Sequence, residues 1–171
     1  SVFGLDFGYT NDPTAFIAAI VDEQAKELYI FDEHYQKAMT NSDIAKMIKY
    51  KGYAKEVIIG DSSEPKSIEE IKRAGIPRIK PAAKGKDSIL NGIQLIQDYK
   101  IIVHPKCENT LLELNNYVWD TKNGVAINKP IDDYNHLLDA LRYAMEQIKK
   151  KPLMLLLAGD AEQEAMKSTV L

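Results

Sequence analysis

The sequence predicts a mixed α/β sheet: a three-strand antiparallel meander, then parallel strands, with helices on both faces. Two observations carry this prediction. Up to Tyr35 the chain consists of short strand-like runs separated by clusters of turn-forming residues. Beyond Thr40 the apolar period becomes helical, and the helical stretches are punctuated by short, purely apolar runs of strand length.

Val2 to Phe7 reads as the first strand, because Phe3, Leu5 and Phe7 alternate with Gly4, Asp6 and Gly8. Tyr9-Thr10-Asn11-Asp12-Pro13 is dense in turn formers. Thr14 to Val21 is the second strand, Asp22 to Lys26 a turn, and Glu27 to Tyr35 the third strand. Thr40, with Asp43 three residues on, has the spacing of a capping box and opens a helix bearing Ile44, Met47 and Ile48. Val57-Ile58-Ile59 is a continuous apolar run, as expected of a strand covered on both faces. Pro65 sits in the first turn of the next helix, whose inward positions are Ile68, Ile71 and Ala74, and Gly75 stands where a C-terminal cap belongs. A short strand follows around Ile79, then a helix from about Asp87 to Tyr99. Ile101 to Val103 is a brief strand, Thr110 to Asn116 a helix, Tyr117 to Asn128 extended or hairpin, and Asn135 to Lys149 a closing helix. Should the Val57 strand pair parallel to the first, Asp6 and Asp61 become neighbours.

At 171 residues, with 45% hydrophobic and 27% charged residues, the chain is one globular domain's worth, assigned to residues 1–150 with a tail at 151–171. The single cysteine, Cys107, cannot form an internal disulfide, which fits a reducing compartment. The apolar run Leu153 to Ala158 is far too short to span a bilayer, so no membrane association is expected. The net charge of −3 disfavours a general phosphate-neutralising surface. Locally, Lys66, Lys72, Arg73, Arg78, Lys80, Lys84 and Lys86 face only Glu69 and Glu70, although a solvated helix and loop is the simpler account on charge alone. The chain starts at Ser1 and enters a strand at once, as an excised domain of a larger parent would.

Asp6 is the first candidate for chemistry. A carboxylate within a central strand is costly to bury unless it is paired or bound to a metal. Gly4 and Gly8, on the same face, clear space beside it for an ion and a substrate. Asp61 follows the Val57 strand, and ligands of open α/β sheets gather beyond the carboxyl ends of strands; taken alone, an aspartate there is more commonly a cap. His136 and Asp139 lie three apart on the closing helix and both residue types ligate metals. A helical wheel sets the core stripe at Leu137, Leu141, Ala144 and Ile148, which leaves Asp139 pointing away as a solvated residue. Ala140 and Ala144 are small enough for a sheet to approach. Leu138 and Met145 need some other cover, for which the Leu153 run is a candidate. Lys80, Lys84 and Lys86 are candidates to grip a nucleic-acid backbone, although a flexible basic loop explains them equally well. His34, His104 and Trp119 read as packing or loop residues, and Cys107 has no activating neighbour in sequence.

Gly4-Leu5-Asp6-Phe7-Gly8, Asn11-Asp12-Pro13-Thr14-Ala15, Ile59-Gly60-Asp61-Ser62 and Asn135-His136-Leu137-Leu138-Asp139-Ala140-Leu141-Arg142-Tyr143 together resemble the nuclease domain of bacteriophage terminase large subunits. The likeness runs to about Lys150. It implies a ribonuclease H-like fold and a two-metal endonuclease that cleaves double-stranded viral DNA concatemers during packaging in the bacterial host's cytoplasm. It further implies that Asp6, Asp61 and Asp139, with His136 beside them, hold two divalent cations, Mg²⁺ or Mn²⁺. The partners implied are an upstream ATPase motor of the same parent chain, the portal and the small terminase subunit. No Gly-x-x-x-x-Gly-Lys-Ser/Thr loop occurs, so this chain is not itself that motor. Three other readings compete. A Holliday-junction resolvase shares the Gly-x-Asp-x-Gly strand and terminal acidic helix. A sugar kinase or actin-like ATPase shares the Asp6-to-Asn11 loop but needs a second glycine-rich phosphate loop. A non-catalytic DNA-binding or docking module would have no need to fill all three acidic positions.

Overall fold

The computed structural model describes residues 1–83, 85 and 87–150, so the expected tail at 151–171 and the candidates Lys84 and Lys86 lie outside the described residues. In chain order the elements are β1 (Val2–Asp6), β2 (Thr14–Asp22), β3 (Glu27–Gln36), α1 (Asn41–Tyr50), β4 (Ile58–Gly60), α2 (Pro65–Arg73), β5 (Ile79–Pro81) and α3 (Ser88–Gln97). They continue as β6 (Lys100–Val103), α4 (Glu108–Asn116), β7 (Trp119–Lys122), β8 (Val125–Pro130) and α5 (His136–Ala144), closed by a tighter 3-10 segment, Met145–Lys150. Every expected element is present. The capping box at Thr40 forms with Asp43, and Gly75 takes a positive φ of 100° just past α2.

The sheet order is β5-β4-β1-β2-β3-β6. β1 pairs antiparallel with β2, and β2 with β3, which gives the expected meander. β4 pairs parallel with β1, and β5 with β4. β6 does not extend that parallel series. It crosses to the far edge and pairs parallel with β3, a placement that local pattern does not specify. β7 and β8 form a separate two-stranded hairpin.

Because successive strand residues point to opposite faces, β1 serves two cores. Phe3 and Leu5 face α1 and α2, in a cluster with Phe16, Ile44, Ile48, Ile58 and Ile71. The Phe3, Phe16 and Tyr53 rings lie 5.0 to 6.3 Å apart there. Val2, Gly4 and Asp6 face α5. Its Leu137, Ala140, Leu141 and Ala144 pack with Ala15, Ile17 and Leu28 of the sheet.

Gly4 has a different reason to be glycine from the one expected. A Cβ there would stand 1.8 Å from the Ala140 carbonyl oxygen, so Gly4 permits backbone contact between strand and helix rather than room for an ion. At Gly8 a Cβ would meet the Pro13 carbonyl at 2.3 Å; that glycine closes the β1–β2 turn. Nor does α5 have one solvated side. α3 and α4 pack on its outer surface, Leu138 is buried and lines a pocket with Ile93, Ile96 and Leu114, and Met145 is fully buried in the core. Those two residues therefore have cover within the described fold. No helix among the described residues is long and apolar enough to cross a membrane.

Candidate active site

Three elements deliver acidic side chains to one place. Asp6 is the last residue of β1 and is 8% exposed. Asp61 follows β4 directly, and its backbone N–H donates to the Leu5 carbonyl at 3.0 Å, which continues the parallel pairing by one residue. Gly4 pairs with Ile59, and Ile59 with Lys80. Asp6 and Asp61 each lie two residues beyond a member of that row, so both point to the α5 face. α5 crosses there and contributes His136 from its first residue and Asp139 one turn later.

The polar contacts are specific. His136 Nδ1 lies 3.1 Å from an Asp6 oxygen, and His136 Nε2 lies 3.8 Å from Asp12 of the β1–β2 turn. Asp139 accepts from Arg142 Nε at 3.2 Å and from its terminal nitrogen at 2.9 Å. Asp61 accepts from the Ser63 backbone N–H at 2.9 Å and from the Ser63 hydroxyl. Asp61 thus organises the turn before α2, as a capping aspartate does, without bonding to the helix itself.

The sequence expectation that Asp139 is solvated is wrong. The wheel assumed one buried side, whereas α3 encloses the other. Arg142, 9% exposed, lies so close to α3 that a Cβ on Gly92 would meet its Cγ at 2.3 Å. Asp139 is held in this partly closed environment by its guanidinium partner.

Burial dominates the electrostatics. It raises the Asp6 carboxyl to about 6, against the hydrogen bond from His136, and repulsion from Asp139 and Asp61 adds to the rise. Burial also raises Asp139, opposed by Arg142, with Asp61 again repelling. The three carboxylates therefore feel one another's charge. His136 is raised, chiefly by its hydrogen bond to Asp6. Tyr143, packed with Ile59 and Ala82, is held firmly neutral by burial and then by Asp6 and Asp139. A cluster of hard oxygen donors, brought together by three elements, suits Mg²⁺ or Mn²⁺ in donor chemistry. As they stand, no three His, Cys, Asp or Glu side chains among the described residues are arranged to hold a metal ion. Asp6 leans on His136, Asp61 on Ser63 and Asp139 on Arg142.

Lys80 is exposed on β5, the edge strand beside β4, on the sheet face that carries the acids. Cys107 is buried and its thiol is raised to about 11 by burial, in keeping with an inert role. Trp119 is 40% exposed on the β7–β8 hairpin rather than packed in a core.

Sequence reasoning missed Glu113. It is 1% exposed on α4, and its Oε2 accepts the Leu137 and Leu138 N–H groups at 2.9 and 3.0 Å, at the start of α5. Burial raises its carboxyl to about 7. The signal was a carboxylate three residues after Thr110 on one helix face, but α4 inverts the usual preference: Thr110 and Glu113 are buried while Leu111 and Leu112 are exposed.

Comparison with known proteins gives a consistent result. The family model described as the terminase RNAseH-like domain matches residues 6–147. The chain is 38% identical over 152 residues to the terminase large subunit of Bacillus phage SPP1, covering 86% of this chain and 36% of that protein. It is 33% identical over 145 residues to the PBSX phage terminase large subunit of Bacillus subtilis strain 168, covering 84% and 33%. The chain thus spans about a third of the length of these curated relatives. Among solved structures, the large terminase nuclease domain of bacteriophage SPP1 with bound Mn matches with a TM-score of 0.81 at 37% identity, over 85% of each chain. The P22 large terminase nuclease domain matches with a TM-score of 0.68 at 21% identity over 85% of this chain and 80% of that one, a likeness of fold.

Proposed function

The chain belongs to the family of terminase RNase H-like domains, and from that premise we propose that it is an endonuclease that cuts double-stranded viral DNA concatemers during genome packaging by two-metal phosphodiester hydrolysis. The observation that carries the reading is the convergence of Asp6, Asp61 and Asp139 from β1, β4 and α5 within electrostatic reach of one another. The Mn-bound structure of a similar phage nuclease domain supports a divalent cation as the missing counter-charge.

Asp6, Asp61, Asp139 and His136 would hold the cations, Mg²⁺ or Mn²⁺. A pair of such ions supplies an activated water and charge to stabilise the scissile phosphate and the leaving oxygen. The protein's part is positioning. β1 and β4 fix Asp6 and Asp61 at adjacent strand ends. Arg142 opposes the burial that raises Asp139 and so favours the charged carboxylate that a cation needs as a ligand. His136 keeps Asp6 hydrogen-bonded, and a bound cation would supply the buried carboxylate with a further counter-charge. Lys80, exposed on the same sheet face, would take a backbone phosphate, a contact that orients DNA without reading sequence. Lys84 and Lys86 extend the same proposal by sequence alone.

The substrate and partners are proposed from membership of the family. Double-stranded DNA, an ATPase motor in the same parent chain, the portal and the small terminase subunit are proposed, with the reaction in the host cytoplasm. The test is nicking of supercoiled plasmid in Mn²⁺ or Mg²⁺. The native chain is expected to cleave only with the metal, and Asp6→Ala to fall to background. Undiminished cleavage by Asp6→Ala would remove the mechanism.

A further inference from the structure

α5 carries two of the four candidate ligands within its first turn and a half, so the rotation and height of that helix decide whether the site can form. A helix begins with unpaired N–H groups, ordinarily capped by the side chain just before it. Here that residue, Asn135, makes no side-chain cap and sits at φ −120°, ψ −11°. The cap comes instead from Glu113, through one oxygen that takes the Leu137 and Leu138 N–H groups together. The cap is a costly one. Glu113 is almost fully enclosed, and its other oxygen is buried without a hydrogen-bond partner among the described residues. Thr110, on the same α4 face, is bonded through its hydroxyl to Glu33 of β3 at 2.5 Å, so α4 is itself tied to the sheet. Polar contacts thus tie α4 to β3 at Thr110 and, three residues on, to Leu137 and Leu138, which lie between His136 and Asp139.

We propose that Glu113 is a positioning residue for the cation site: its carboxylate seats the first turn of α5 so that His136 and Asp139 present to Asp6 and Asp61. This inference rests on the metal reading above and adds a residue that touches neither metal nor DNA. Two substitutions separate reach from charge. Glu113→Gln removes the charge but keeps an acceptor oxygen at the same reach. Glu113→Asp keeps the charge but draws the acceptor back by one methylene.

The experiment is Mn²⁺ binding to the full chain without DNA, by calorimetry or by the electron paramagnetic resonance of free Mn²⁺, with melting curves to show each variant folded. E113D is expected to bind Mn²⁺ about 10- to 100-fold more weakly, the range for residues that orient a ligand from behind. E113Q is expected to bind close to native. Native-like binding by E113D overturns the inference while leaving the metal reading intact. A loss in E113Q as large as in E113D also overturns it, because an acceptor kept at its native reach would then not preserve the site. Failure of the native chain to take up Mn²⁺ would remove the metal reading and this inference with it.

Discussion

Toward α1 and α2, β1 contributes Phe3 and Leu5 to a dry cluster of aromatic and branched side chains. Toward α5 the same strand contributes Gly4, which lets two backbones touch, and Asp6, a buried carboxylate with a raised pKa. The first face is built of groups that lose nothing by leaving water. The second tolerates carboxylates that burial penalises. One strand alternating between the two places chemistry on a scaffold anchored from behind, so stability and activity should respond separately to mutation.

Phe16→Ala offers the largest test of that separation. Phe16 is fully buried on the dry face, and truncation should cost about 3–5 kcal/mol of stability, measured by denaturant unfolding. Mn²⁺ affinity of the folded fraction should not change. A parallel loss of metal binding would show that the faces are not independent.

A smaller effect comes from the acidic face. The folded state holds the Asp6 proton more tightly than an ordinary carboxyl of 3.8, up to about 6. Ionisation therefore opposes folding. Stability of the metal-free chain from this group is full below about pH 4 and falls as pH rises to about 6, by on the order of 2–3 kcal/mol. Asp6→Asn should lack that fall, so the native-minus-variant difference in unfolding free energy should slope across this window and be flat above it. Parallel pH profiles would break the comparison. Saturating Mn²⁺ should offset the native loss near neutrality.

The smallest effect sharpens the contrast between site and rim. Lys80→Ala, exposed at the sheet edge, should leave stability within about 0.5 kcal/mol. It should weaken DNA binding and lower the slope of log affinity against log salt by about one. An unchanged salt slope would take Lys80 out of the DNA path.

The sequence made the elements legible because each signal was local. The Thr40–Asp43 box, Pro65 at the start of α2 and Gly75 past its end need only neighbours to be read. The nearness of Asp6 and Asp61 was legible too, since a meander followed by a crossover leaves little choice for β4. What could not be read was anything set by a third layer. Asp139 looked solvated because no pattern announces that α3 and α4 pack over α5. Glu113 stayed hidden because its partners are backbone N–H groups 24 and 25 residues away. The return of β6 to the far edge is likewise a choice of topology that its four residues do not encode.

The contact between His136 and Asp6 bridges 130 residues, nearly the whole described domain. In synthesis β1 and β4 precede α5, so Asp6 and Asp61 are in place before the helix that brings His136 and Asp139 is made. Closing so long a loop adds only slowly to the entropic cost of folding, yet it makes this acidic cluster one of the last features to assemble. On the proposed reading, an unfinished or prematurely terminated copy is silent toward the genome that encodes it.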